Sequence, residues 1–269
     1  MLCLWCIISS SSASRSLATA SHDGQHPHGL QRRPECPSHN FNLTEQAILS
    51  DPAALKAFIS DIPKVFGSGT WLQIGANTLD PLGHTYQVED PLLQYLPLFD
   101  AYRKVLVEPI PPLFEKLKNN TKNMPHTELV NAAIVADHSA GKTVTMYCPT
   151  PEEMVEWLVG ICSMDESVIK RASNSGRSER YEVPALTTSS LMRNYNIQDV
   201  RVVMIDTEGF DVKILKMLPF QKPSFRPQLV VFENTEISDE EHEEGKEFLR
   251  SHCYFLAHDR ENTFGLRLA

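Results

Sequence analysis

The body of the chain is a succession of short β-branched and aliphatic runs, each closing on polar residues and most leading into a stretch with helical spacing. Thr70 to Ile74 runs into Gly75-Ala76-Asn77, and Arg103 to Val107 runs into Glu108-Pro109. Glu128 to Val135 passes through Asn131-Ala132, Val200 to Ile205 closes on Asp206, and Pro227 to Phe232 closes on Glu233-Asn234. Strands without polar alternation are buried on both faces, and such a sheet needs helices on each side. The runs therefore predict a doubly wound, Rossmann-like α/β fold with a mostly parallel sheet. Tyr254 to His258 and Thr263 to Leu268, across Asp259 to Asn262, predict a C-terminal antiparallel hairpin at its edge.

Around this frame the chain divides into unequal parts. Residues 1–21 combine a short apolar run, a Ser-rich stretch and the small-x-small pattern Ala18-Thr19-Ala20, and read as a removable leader, either signal or transit peptide. Residues 22–41, with His22, His26, His28 and His39 among Pro and Gly, read as a flexible linker. Residues 42–269 form the α/β domain. If the leader is used, the destination is the secretory pathway or an organelle, and otherwise the cytoplasm. Ala47 to Val65 predicts a lead-in helix with Asp51-Pro52 as its start and Gly67-Ser68-Gly69 as its stop. At about 142–186 the alternation breaks into an extra strand (Thr143 to Cys148), a helix (Pro151 to Ile161) and a polar loop (Ser173 to Arg180). An insertion of this kind shapes or covers a substrate site.

Several functions are disfavoured. With 25 Lys+Arg against 34 Asp+Glu the net charge is −9, which argues against nucleic acid and anionic lipid as partners. No window after the leader approaches the roughly 20 apolar residues of a membrane span. The six cysteines are too few and too scattered to predict a disulfide framework, and Cys3-Leu4-Trp5-Cys6 lacks a second ligand pair. Ala136 to Thr143 matches a relaxed phosphate-binding loop, but the β-branched alternation after it predicts a hairpin turn instead of a helix opening. The acidic run Glu236 to Glu247 reads as the solvated face of a helix. Nothing in the sequence fixes an oligomeric state.

In doubly wound sheets ligands bind beyond the carboxyl ends of the strands, where strand order reverses. The candidates are therefore the strand exits. Gly75 permits close approach to the backbone before Ala76 and Asn77, Glu108 is placed to accept both hydroxyls of a ribose, and Ala132 beside Asn131 is small enough for a purine to lie against. Asp206-Thr207-Glu208-Gly209-Phe210-Asp211 is the densest polar exit, although Asp211 also suits the N-terminus of the next helix. No His/Cys/carboxylate set has ligand spacing in sequence, so no metal is expected.

Val107-Glu108-Pro109 is followed by Leu113-Phe114-Glu115-Lys116-Leu117, and Asn131-Ala132-Ala133 comes after it. Trp157 with Ser163-Met164-Asp165, and then Ile205 to Asp211 with Leu215-Lys216, complete the series in order. From about Trp71 to its C-terminus the chain resembles the FkbM-type S-adenosylmethionine-dependent methyltransferases. The resemblance implies a class I methyltransferase sheet, S-adenosyl-L-methionine as cofactor, and O-methylation of a hydroxyl on a small-molecule or glycan acceptor. It implies cofactor contacts from Gln73, Gly75, Ala76, Asn77, Glu108, Asn131, Ala132 and Asp206, and a proton acceptor in Asp206 or Glu208. Ser163, Asp165 and Asp211 are candidates on the acceptor side. Family members usually continue Gly-Ala-Asn with an acid and a second glycine, whereas here Thr78-Leu79-Asp80-Pro81-Leu82-Gly83 lengthens the loop before Glu89-Asp90-Pro91. The alternative is a catalytically inactive binding protein of the same fold. An NAD-dependent oxidoreductase is disfavoured by the absence of G-x-G-x-x-G after the first strand.

Overall fold

Each strand exit predicted above is positioned by the helix or turn that follows it. The computed structural model describes residues 51–79, 92–136, 142–150, 161–173 and 175–267. The leader, the linker, the lengthened loop from Asp80 and the helix predicted from Pro151 lie outside the described residues.

Helix α1 (Pro52–Phe66) starts at the predicted signal: Asp51 accepts the Ala53 N–H at 2.9 Å, and Pro52 occupies the first turn, where no N–H is needed. Strand β1 (Thr70–Ile74) follows, then a 3-10 helix (Leu93–Phe99), β2 (Arg103–Val107), α2 (Pro111–Thr121), β3 (Thr127–Val130) and β4 (Ala133–Ile134). The insertion contributes β5 (Thr143–Pro149), α3 (Glu166–Ala172) and β6 (Ser178–Leu186). The chain continues with α4 (Thr188–Asn194), β7 (Val200–Ile205), α5 (Asp211–Met217) and β8 (Leu229–Glu233). It ends with α6 (Asp239–Ser251), β9 (Phe255–His258) and β10 (Asn262–Leu266).

The main sheet has the order β3-β2-β1-β7-β8-β10-β9. Pairs from β3 to β8 are parallel, and β10 is antiparallel to both of its neighbours. The predicted hairpin forms, but β10 lies inside the sheet and β9 takes the edge. Alternate residues of each central strand enter different cores. Trp71, Leu106, Met204 and Val231 pack with Ile59 and Ile62 of α1 and Phe99 of the 3-10 helix. Leu72, Val105, Val203 and Val230 pack with Leu191 of α4, Leu215 of α5 and Leu249 of α6. Helices thus cover both faces, as apolar runs without alternation require.

Three expectations about the middle of the chain are corrected. The run Glu128 to Val135 is two strands, because the Asn131 side chain turns back to donate to the Glu108 and Pro109 carbonyls at 2.8 and 3.0 Å. β4 then leaves the main sheet and pairs with β6. The polar loop predicted over Ser173 to Arg180 is overtaken from Ser178 by β6, which pairs with β5 from Ser178 to Pro184. Its charged residues and Pro184 hide it from a reading based on apolar runs, since only Val183 is fully buried. Finally, Cys148 and Cys162 form a disulfide, because β5 and the segment before α3 run side by side and Tyr147 and Ser163 exchange backbone hydrogen bonds of 2.9 Å. Cys253 is disulfide-bonded as well. β5 begins at Thr143, so the phosphate-loop-like segment opens no helix. Among the described residues no helix is long and apolar enough to cross a membrane.

Candidate active site

Register brings the predicted strand exits into one line. Val107 pairs with Val130 and with Ile74, Ile74 with Ile205, and Ile205 with Phe232. One residue further, Asn131, Glu108, Gly75, Asp206 and Glu233 form a single row across five neighbouring strand ends. Parallel strands lie about 4.8 Å apart, so the row spans about 19 Å. Strand order reverses beside β1, which places Gly75 at the switch point.

Gly75 is needed by its neighbour as much as by any ligand. Its φ is +85°, and a Cβ there would sit 1.6 Å from the Asp206 carbonyl oxygen. The Gly75 and Ala76 N–H groups both donate to the Val107 carbonyl at 2.9 Å. Asn77, with φ +47°, then turns its own N–H onto Glu108 Oε2 at 2.8 Å. Asn tolerates this left-handed conformation better than most residues.

Glu108 is 3% exposed, and its second oxygen, Oε1, accepts the Ile110 N–H at 2.8 Å. Burial pushes its carboxyl up to about 7 against the pull of the two N–H donors. These donors occupy two of about four lone-pair positions, so the carboxylate retains capacity for a diol. Asn131 steadies the adjoining Glu108 carbonyl, and Ala132 is buried beside it. Gln73 is placed differently: it lies within β1, 1% exposed, with its side-chain oxygen accepting from the Trp71 indole at 3.3 Å.

The other end of the row is acidic. Asp206, Glu208 and Glu233 each offer a carboxylate oxygen within 4.8 Å of the others. Glu208 reaches the cluster through a left-handed backbone, φ +52°. Although Glu208 is partly exposed as a residue, protein crowds its carboxyl. Desolvation, then the charges of Glu233, Asp206, Asp211 and Glu236, hold it well above the carboxylate range. Glu233 is pushed up to about 8, first by burial and then by Asp211. Like charges 4 Å apart repel by about 4 kcal/mol at an effective dielectric of about 20, so the cluster favours a cation or a bound proton.

Asp211 organises this loop from beneath. It is fully buried and accepts the Thr207 N–H (3.2 Å), the Thr207 hydroxyl (3.1 Å) and the Gly209 N–H (3.3 Å). Ser163, also fully buried, donates its hydroxyl to the Glu208 carbonyl at 2.7 Å, which hooks the insertion onto the loop. Asp165 is the exposed N-cap of α3, accepting the Ser167 N–H at 2.8 Å. Val168 of α3 faces Gly209, where a Cβ would meet it at 3.7 Å. The insertion therefore lies against the acidic end of the row. Glu233 is the member that sequence spacing did not assign to a site: its polar exit is visible, but its nearness to Asp206 follows only from the pairing of β7 with β8.

A family model for the methyltransferase FkbM domain matches residues 73–256, more than half of the chain and the whole of the row. The chain belongs to this family. FkbM-domain proteins are methyltransferases, and S-adenosylmethionine is the methyl donor. No curated protein matches the FkbM-domain chain significantly. Among solved structures it is similar to a precorrin-6y C5,15-methyltransferase from Geobacter metallireducens, at 11% identity and TM-score 0.41 over 79% of this chain and 87% of that one. It is also similar to a SAM-dependent methyltransferase from Aquifex aeolicus, at 11% identity and TM-score 0.34 over 84% and 97%. These likenesses are too distant to carry an inference about activity.

Proposed function

We propose that this FkbM-domain chain is an O-methyltransferase that transfers the methyl group of S-adenosylmethionine to a hydroxyl on a small-molecule or glycan acceptor. The observation that supports this most is the strand-end row, with a buried diol-accepting carboxylate on one side of the switch point and a carboxylate cluster on the other. In this reading adenine lies by Asn131-Ala132, the ribose diol on Glu108 and the methionine part at Gly75 to Asn77. The sulfonium then faces Asp206, where negative charge favours it. Gln73 contributes by fixing β1 beneath this loop. Ser163 and Asp165 act on the acceptor side by positioning the insertion, and Asp211 by positioning the acidic loop.

The donor is already activated, so the main task is to hold the acceptor oxygen in line with the methyl. The O–C bond forms as the C–S bond breaks, the bonding pair passes to sulfur, and S-adenosylhomocysteine leaves. The hydroxyl proton passes to Asp206 or Glu208. A net charge of −9 disfavours polyanionic acceptors. The test is transfer of labelled methyl from S-adenosylmethionine to panels of sugars, lipids and small alcohols. Transfer that is lost in Asp206→Asn or Glu208→Gln supports the reading. A chain that binds S-adenosylhomocysteine but turns over no acceptor is instead a binding protein of the same fold.

A further inference from the structure

We propose that Asp206, Glu208 and Glu233 form a binding site for one divalent metal cation that prefers oxygen ligands, such as magnesium or manganese. The three carboxylates present oxygens within 4.8 Å of one another, which one ion spans with bonds of about 2.4 Å and which a small side-chain adjustment brings to the bonds of about 2.1 Å that magnesium takes. They project from the ends of two adjacent parallel strands, β7 and β8, and not from a solvated helix face. Among the described residues neither Glu208 nor Glu233 makes an ion pair. Arg171, the nearby guanidinium, reaches Glu236 at 3.8 Å instead.

The hydrogen-bond accounting points to a missing ligand. Glu233 Oε2 is sealed from solvent and has no donor. Glu208 is partly exposed and its carboxyl accepts no hydrogen bond among the described residues, so it is open to a ligand arriving from solvent. Buried acceptors are nearly always satisfied in folded proteins, and an orphan one is costly. Asp211 does not belong to the set, since its oxygens are engaged by Thr207 and Gly209. An all-carboxylate donor set without His or Cys selects a hard cation. The sequence hid this site because its ligands lie 27 residues apart at the widest, from Asp206 to Glu233.

The purpose of the cation rests on the methyltransferase reading: at the acceptor end of the row it would hold the hydroxyl oxygen and favour its ionisation. The site itself does not depend on that reading. The test is manganese titration of the purified full chain by electron paramagnetic resonance and calorimetry, with S-adenosylmethionine binding measured on the same samples. One saturable manganese per chain is expected, weakened at least tenfold by Glu233→Gln, with magnesium competing. If Glu233→Gln does not fold, Glu208→Gln, in the loop, carries the same test. No saturable binding up to about 10 mM metal, weaker than the weakest ordinary protein sites, would overturn the proposal. So would binding that both variants leave unchanged. Cation binding in a chain with no affinity for S-adenosylmethionine upholds the site and removes only its part in methyl transfer.

Discussion

Burial and hydrogen bonding pull the Glu108 carboxyl in opposite directions, and burial prevails, raising it from 4.5 to about 7. Between these values the folded chain binds more protons than the unfolded one, so this group's contribution to stability falls as pH rises through the window. Its size is about 3 kcal/mol, one pKa unit being about 1.4 kcal/mol. The melting temperature of the ligand-free chain is therefore expected to drop between about pH 5 and pH 7.5. Asp211, raised from 3.8 to about 6 by burial, acts in the same direction. Thermal scans of Glu108→Gln against the parent isolate the Glu108 share, which the variant should lack. In the proposed cofactor site ribose hydroxyls would donate to the ionised form, so cofactor affinity should move oppositely and rise with pH through about 7. Gly75 allows a second residue-level test. Gly67 and Gly75 both have positive φ, but a Cβ at Gly67 meets nothing within 4 Å while one at Gly75 meets the Asp206 carbonyl. Both alanine variants incur the backbone strain, and only Gly75→Ala also incurs the clash. It should lose at least about 2 kcal/mol more in urea unfolding.

At the level of elements, the sequence is most readable where burial is greatest. β1, β2, β7 and β8 are apolar runs because both faces are covered, and their polar exits can be read directly. β6 carries charges and Pro184 because it is half exposed, and its pattern therefore resembles a loop. The division of the run around Asn131 depends on a side-chain hydrogen bond to β2, which no local pattern reveals. The acidic cluster needed the register of two strands, whereas the acids of the β7 exit alone needed only adjacency in sequence. The Ser163 hydroxyl hooks the insertion onto the acidic loop by donating to the Glu208 carbonyl. Ser163→Ala leaves that acceptor without its donor and should cost about 1 kcal/mol of stability. If the insertion serves the acceptor, the variant should raise KM for the acceptor more than Kd for S-adenosylmethionine, as steady-state kinetics and calorimetry would show.

For the whole molecule, the Cys148–Cys162 bond bears on where the chain folds. Such bonds persist in oxidising compartments. Both thiols should resist alkylation in the native protein and react after reduction, by mass analysis. Closing a loop of this length contributes about 3 kcal/mol, so reduction should lower the melting temperature by several degrees. The fold as a whole aligns five strand ends so that the buried Glu108 carboxyl and the acidic cluster share one row. The most direct test is calorimetric titration of S-adenosylmethionine into the purified chain and into Glu108→Ala. Saturable binding by the parent, weakened at least tenfold in a folded Glu108→Ala, is the expected result. No binding by the parent, or equal affinity in the two proteins, would contradict it.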